Sequence, residues 1–281
     1  MPHRLIFTLL TILTSIACAE PQIEQLATGF SFTEGPALSP NGDAVYFSDI
    51  PKNRIHRWDA TTGEVTVFRE DSGGANGLLF RDDNNLIVCA GRHRMLIEES
   101  IVKGEATVLA EFYDGKKLNS PNDLWIAPDG GVYFTDPRYG NRDNLEQDGE
   151  HVYHLSADRK TLTRVVNDFV RPNGIIGTPD GETLIIADHG AGKTWRYTIR
   201  EDGTLQDKVL FADQGSDGMS MDTAGNVYLT AAAVDIYSSR GELLDSIELP
   251  ERPANVSVIS EDPIVLFVTA VKSVYRVTLE R

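Results

Sequence analysis

Cysteine, cationic charge and long apolar runs are what this chain has least of. There are two cysteines, Cys18 and Cys89, and only Cys89 lies beyond the first twenty residues. A lone thiol allows no internal disulfide, so apolar packing must hold the fold. Cys89 stands in the apolar run Leu86–Ala90 and reads as a small buried hydrophobe. Lys and Arg number 26 against 42 Asp and Glu, a net charge of −16. That balance repels phosphate backbones and anionic membrane surfaces, which argues against nucleic acid as a partner. Catalytic signatures are missing as well. No G-x-S-x-G elbow is present, which disfavours a serine nucleophile. No G-x-G-x-x-G opens a helix, and Gly192-Lys193-Thr194 lacks the first glycine of a phosphate loop because residue 187 is Ala. The one long apolar run, Leu5–Ala17, is too short to span a bilayer.

That run follows Arg4 and ends at Ala17-Cys18-Ala19, the pattern of a secretory signal peptide over residues 1–19. The expectation is an exported chain, periplasmic or secreted. A buried first element and a lipid-modified Cys18 are competing readings, the latter weakened by Ser15 where such signals carry Leu. The remainder, residues 20–281, is expected to form a single domain. With 41% hydrophobic and 24% charged residues it has the make-up of a globular protein with a sizeable core. No feature of the sequence specifies an oligomeric state.

One phrase recurs along the chain: a Pro/Asp/Asn-Gly turn followed by a short β-branched or aromatic run. The runs are Ala44–Asp49, Leu86–Ala90, Val132–Asp136, Thr183–Asp188, Val227–Ala231 and Ile264–Ala270. Further strand patterns follow them, including Arg54–Asp59, His151–Leu155, Thr194–Ile199, Val234–Ser238 and Ser273–Leu279. In the first four units a fourth run follows, at Val65–Phe68, Thr107–Phe112, Leu162–Val166 and Val209–Ala212. Units of roughly 40–50 residues with four strands define propeller blades. The spacing predicts an all-β, six-bladed β-propeller of four-stranded antiparallel blades around a central metal-containing channel; two packed sandwiches fit the even repeat less well.

Eight residues before each turn stands an oxygen-bearing side chain: Glu34, Asn76, Asn122, Asn173, Asp217 and Asn255. The innermost strand of a blade begins there, so these residues should ring the mouth of the channel. Six polar groups converging without partners would be costly, and two facing carboxylates more so unless a cation lies between them. Hard oxygen donors carrying two negative charges suit Ca²⁺; Mg²⁺ or Mn²⁺ are possible substitutes, and Zn²⁺ less so because it recruits His or Cys. Local Asx-turn chemistry competes with this reading at any single position. Asn255 lies in a degenerate sixth unit and is assigned no binding role.

At Phe32–Pro36, Leu118–Leu124, Tyr133–Gly140, Arg171–Ile175 and Ser216–Met219 the sequence resembles the gluconolactonase/regucalcin-type family of six-bladed propellers. That family also includes luciferin-regenerating enzymes, and diisopropylfluorophosphatase is a structural relative. The resemblance implies a calcium-type site at Glu34, Asn173 and Asp217. It places Asn122 at a position that ligates metal in some members and touches substrate in others. It also implies hydrolysis of a small-molecule sugar lactone. The chemistry of the residues agrees: Asp217, with one oxygen free of the metal, is expected to be the base for the attacking water, and Asn122 to orient the carbonyl. Asn76, Arg92, His93, Asp123 and Tyr139 are the further substrate-side candidates. Arg92 and His93 could hold sugar hydroxyls or a carboxylate, or form a solvated loop. The polar stretch 140–149 is expected to be a lid, and Asp49, Asp136 and Asp188 to be structural. Two alternatives stay open: a metal-dependent esterase or organophosphate hydrolase with Asp217 as nucleophile, and a propeller that binds without catalysis.

Overall fold

Runs such as Ala44–Asp49, Asn85–Ala90 and Val132–Asp136 carry apolar residues at successive positions and are buried along nearly their whole length, which requires a cover on both faces of the strand. Outer runs such as Val65–Glu70 keep polar residues and stay largely exposed. A computed structural model, describing residues 20–280, arranges these runs as six four-stranded antiparallel sheets. The leader expected over residues 1–19, with Cys18, lies outside the described residues. Cys89 is buried.

The sheets are the blades of a propeller. Their innermost strands are Thr33–Leu38, Ala75–Asp82, Leu124–Ile126, Pro172–Gly177, Met219–Met221 and Asn255–Glu261. Each touches the innermost strand of the next blade, and Asn255–Glu261 touches Thr33–Leu38, closing the ring. Six apolar clusters fill the six seams between successive blades. In the seam between the last blade and the first, Val45, Phe47 and Trp58 meet Phe267 and Val274. Full burial of one such side chain contributes about 1.5–3 kcal/mol.

Three of the blade-completing strands are given no bounds by the repeat. Met95–Ser100 is the third strand of blade 2, and Leu243–Ile247 is the outer strand of blade 5. The outer strand of blade 6 comes from the other end of the chain: Gln22–Thr28 pairs antiparallel with Ser273–Leu279, from Gln22↔Thr278 to Thr28↔Ser273. This closure ties both ends of the ring and covers an edge that would otherwise be free to pair. The only helical piece among the described residues is a 3₁₀ turn, His189–Ala191, and no helix is long and apolar enough to cross a membrane.

Candidate active site at the mouth of the propeller

The ring residues begin the innermost strands, and a repeated carboxylate clamp fixes how the chain arrives there. Asp49, the last residue of its strand, accepts the backbone N–H groups of Ser31 (3.0 Å) and Phe32 (3.1 Å). Asp136 accepts those of Asn119 and Ser120 (both 2.7 Å), and Asp188 those of Val170 (3.0 Å) and Arg171 (2.9 Å). In each case the clamped pair ends two residues before Glu34, Asn122 or Asn173. These three aspartates are therefore structural, as the sequence indicated. Burial pushes Asp136 up to about 7, against the pull of its two N–H donors and of Arg94.

Beyond the clamp the pairing slips. Register shifts separate Glu34 from Ala37, Ala75 from Leu78 and Pro172 from Ile175. Such bulges re-aim a side chain. They coincide with Glu34-Gly35, Asn76-Gly77 and Asn173-Gly174. Gly35 has φ +51°, and a Cβ there would lie 2.1 Å from the carbonyl oxygen of Asn76 in the next blade. A Cβ on Gly218 would fall 2.0 Å from Cγ of Asn255. Glycine thus lets neighbouring blades close in around the axis.

Five contacts join the ring. Asn173 Nδ2 donates to Asp217 Oδ1 (2.7 Å) and to the Tyr139 hydroxyl (2.8 Å). Arg252 Nη1 donates to Asp217 Oδ2 (3.2 Å). Asn255 Nδ2 donates to Glu34 Oε2 at 3.1 Å and reaches Asp123 Oδ2 at 3.5 Å. Asn255, given no role from the sequence, therefore bridges two carboxylates on the axis. Glu34 is pushed well above the usual carboxylate range by burial, then by the charges of Asp217 and Asp123, against the pull of its bonds from Asn255 and Gly35. Burial, with a smaller push from Asp217, raises Asp123 to about 7. Burial also raises the Tyr139 phenol, as does the Asp217 charge.

Above this cluster opens a pocket of about 640 Å³. Glu34, Asn76, Arg92, Asn122, Tyr139 and Asp217 line it. Asn173 is buried in its wall, 1% exposed, behind Tyr139 and Asp217. Two candidates are corrected. His93 turns away: its ring packs over Gly73 outside the lining, and Arg92 takes the rim position. Asp123 is not part of the lining and touches the ring through Asn255. The stretch 140–149 contributes nothing to the lining and is fastened down. Arg94 donates to the Asn144 carbonyl (3.1 Å), Gln147 Nε2 to the Lys116 carbonyl (3.0 Å), and Asn119 Nδ2 to the Gly149 carbonyl (2.8 Å). It is a strapped buttress behind Tyr139, not a free lid.

His189 and Arg252 line the pocket without having been singled out. A signal existed for His189. The rim residues Ile50, Arg92, Arg138 and His189 all stand one or two positions past the end of a blade's second strand. Its Nδ1 is buried without a hydrogen-bond partner among the described residues. Arg252 sits in a loop with no repeat to mark it.

Do these residues fit a metal? Among the described residues no group of three or more His, Cys, Asp or Glu side chains could hold one by themselves. The donors here are of mixed kind, two carboxylates with carboxamides. Glu34 and Asp217 repel one another at a buried place, with Asp123 beneath them and Arg252 the one cation bonded to the cluster. That excess of buried negative charge fits a hard divalent cation with oxygen ligands.

A six-bladed propeller with a pocket whose floor is acidic and amide-lined defines a class of small-molecule site, and comparison with known proteins places the chain within it. Residues 32–272 match the family described as SMP-30/Gluconolactonase/LRE-like region, and the chain belongs to that family. It is 30% identical to a gluconolactonase of Zymomonas mobilis over 94% of this chain and 83% of that protein. A solved gluconolactonase from Xanthomonas campestris shares 28% identity with a TM-score of 0.86, covering 92% of this chain and 90% of that one. Regucalcin from Agrobacterium tumefaciens, described as a calcium-binding protein, superposes with a TM-score of 0.78 at 20% identity, covering 94% of this chain and 96% of that one, a likeness of fold.

Proposed function

We propose that this protein is an exported hydrolase that opens a sugar lactone with the help of a divalent cation, calcium before magnesium or manganese. Membership of the family and the gluconolactonases it resembles make it a lactone-hydrolysing enzyme. The observation that carries the finer reading is the meeting of Glu34 and Asp217, from blades 1 and 5, on the floor of one pocket beside Asn122.

Glu34, Asn173 and Asp217 would hold the cation, with Asn122 beside them. A cation bound there supplies Lewis-acid polarisation of the lactone carbonyl. The rest falls to the chain itself. Asn122 donates its amide N–H to the substrate and fixes the carbonyl against the floor. Asp217 accepts the proton of the attacking water on a carboxylate oxygen. Its aim is set from both sides, by Asn173 on Oδ1 and by Arg252 on Oδ2. Tyr139 holds the same Asn173 amide and screens that side of the pocket from bulk water. Export follows from the leader read over residues 1–19, and a single buried thiol suits an oxidising compartment.

Metal analysis of the purified protein, coupled to a lactone panel in a pH-stat, tests this reading. Turnover lost on chelation and restored by calcium is expected. A metal-free protein with full turnover would remove the cation from the reading. No turnover of any lactone would leave a propeller that only binds.

A further inference from the structure

The charge at the pocket mouth runs against the charge of the chain. Acidic residues outnumber basic ones 42 to 26 overall. The lining reverses this: Arg92, Arg138 and Arg252 against only Glu34 and Asp217. Both carboxylates lie on the floor, Glu34 4% exposed and the Asp217 side chain 14%. The rim is thus cationic, and most of its charge is unanswered. Arg252 alone meets a carboxylate, that of Asp217. Arg92 is exposed and makes a single long contact, Nη2 to the Ile50 carbonyl at 3.5 Å.

Arg138 is held in place by neutral acceptors. Nε donates to the Asn141 carbonyl (2.7 Å), Nη1 to the Asn119 carbonyl (2.7 Å) and Nη2 to Asn144 Oδ1 (2.6 Å). Three of the five N–H bonds of a guanidinium are spent this way, leaving one on each terminal nitrogen. No carboxylate bonds to its guanidinium, although Glu150 Oε2 accepts its backbone N–H (3.1 Å); Arg94 and Arg142 crowd it with like charge, against the nearby charge of Asp136. An arginine fixed by main-chain carbonyls beside other cations is prepared for an anion.

We propose that the substrate is an anionic lactone, one carrying a carboxylate, phosphate or sulfonate away from the reacting carbonyl, and that Arg92 and Arg138 hold that group at the mouth. The proposal rests on the lactonase reading above, and deepens it to a substrate class. The floor meets the carbonyl end of the ring, and the rim takes the charged end. A neutral sugar lactone would leave both guanidinium groups without a bonded anion.

The test compares kcat/KM for glucono-δ-lactone with that for 6-phosphoglucono-δ-lactone and a glucaric acid lactone, in wild type, Arg92→Gln and Arg138→Gln. The wild type is expected to prefer at least one anionic lactone by about tenfold or more, the phosphate and carboxylate arms showing which group fits. Raising the salt to about 1 M shortens the screening length to about 3 Å and should erode that preference, chiefly through KM. Arg92→Gln should bring the ratio of anionic to neutral kcat/KM close to one. Arg138→Gln should do the same, and circular dichroism reports whether its loop survives. A wild type that favours the neutral lactone overturns the proposal, as does an Arg92→Gln protein that loses equally on both. Should no lactone be hydrolysed, calorimetry with 6-phosphogluconate against gluconate decides. Binding of the phosphorylated acid about tenfold more tightly sustains the rim assignment while the lactonase reading falls, and equal binding ends both.

Discussion

Stripping divalent metal at two pH values isolates the charge that Glu34, Asp123 and Asp217 place on the propeller axis. Asp123 titrates at about 7 in the metal-free fold against an ordinary 3.8, chiefly because it is buried. Its folded-state value is raised, so between those two limits the native chain binds more protons than the unfolded one. Stability is therefore highest below the ordinary value and falls as pH rises towards 7. From pH 5.5 to 8 the loss runs over about 1.5 units at ~1.4 kcal/mol each, or about 2 kcal/mol. For a domain of this size that lowers Tm by about 4–8 °C. Glu34 adds to the fall in the same direction. Asp136, also near 7, falls in the same window but faces Asn119 and Ser120 away from the ring, so its share is equal with and without calcium. The difference between chelated and calcium-loaded melting curves is thus the quantity to read. Differential scanning calorimetry at pH 5.5 and 8, in EDTA and in millimolar calcium, should show the chelated protein losing those extra degrees. Calcium should confer more stability at pH 8 than at pH 5.5, and Asp123→Asn should flatten the excess. Superimposable pH profiles in EDTA and calcium would refute the claim that a cation balances this cluster.

Other consequences are quicker to check. Asp217→Asn removes the proposed proton acceptor and should lower kcat by at least about a hundredfold with the circular dichroism unchanged; near-normal turnover sinks the base assignment. Single turnover in ¹⁸O water should leave Asp217 unlabelled in the tryptic peptide, since label there identifies a nucleophile. Gly35→Ala places a Cβ 2.1 Å from the Asn76 carbonyl oxygen at positive φ and should cost about 2–3 kcal/mol, read as a lower Tm with catalysis impaired in step. Tyr139→Phe frees one Asn173 N–H and should reduce kcat severalfold while sparing Tm, because the ring still packs beneath Arg171.

The propeller was legible because every blade repeats one turn, and a buried middle strand must be apolar on both faces. The strands that escaped are those whose partners lie elsewhere. Met95–Ser100 carries Glu98 and Glu99, which look solvated in sequence but are ion-paired, Glu98 to Arg81 and Arg159 and Glu99 to Arg69. Gln22–Thr28 pairs with residues some 250 positions away, so no local turn announces it. The ring was legible for the same reason as the blades, since equal phase in a repeat becomes convergence on an axis. Depth was not. Asn122 and Asp123 are consecutive, yet only the first lines the pocket while the second turns to Asn255, a difference that equal phase does not announce.

That difference in legibility follows from what each layer has to do. Floor positions are set by bulged inner strands, aspartate clamps and glycines that admit the next blade, all of which recur from unit to unit. A threonine hydroxyl adds a second tie, in blade 3 beside the clamp, where Thr135 Oγ1 accepts the Asp123 N–H at 3.1 Å, and in blades 5 and 6 where the clamp is missing. Thr230 Oγ1 accepts the Gly218 N–H in blade 5 at 2.8 Å, and Thr269 Oγ1 accepts the Asn255 N–H in blade 6 at 3.1 Å. These bonds hold the start of the innermost strand in place with neutral groups. Rim positions answer to no such constraint, and each blade spends them differently: Ile50, Arg92, Arg138, His189, Arg252. A repeat can therefore announce that a reaction centre exists, while the identity of what enters it is written in residues that do not repeat.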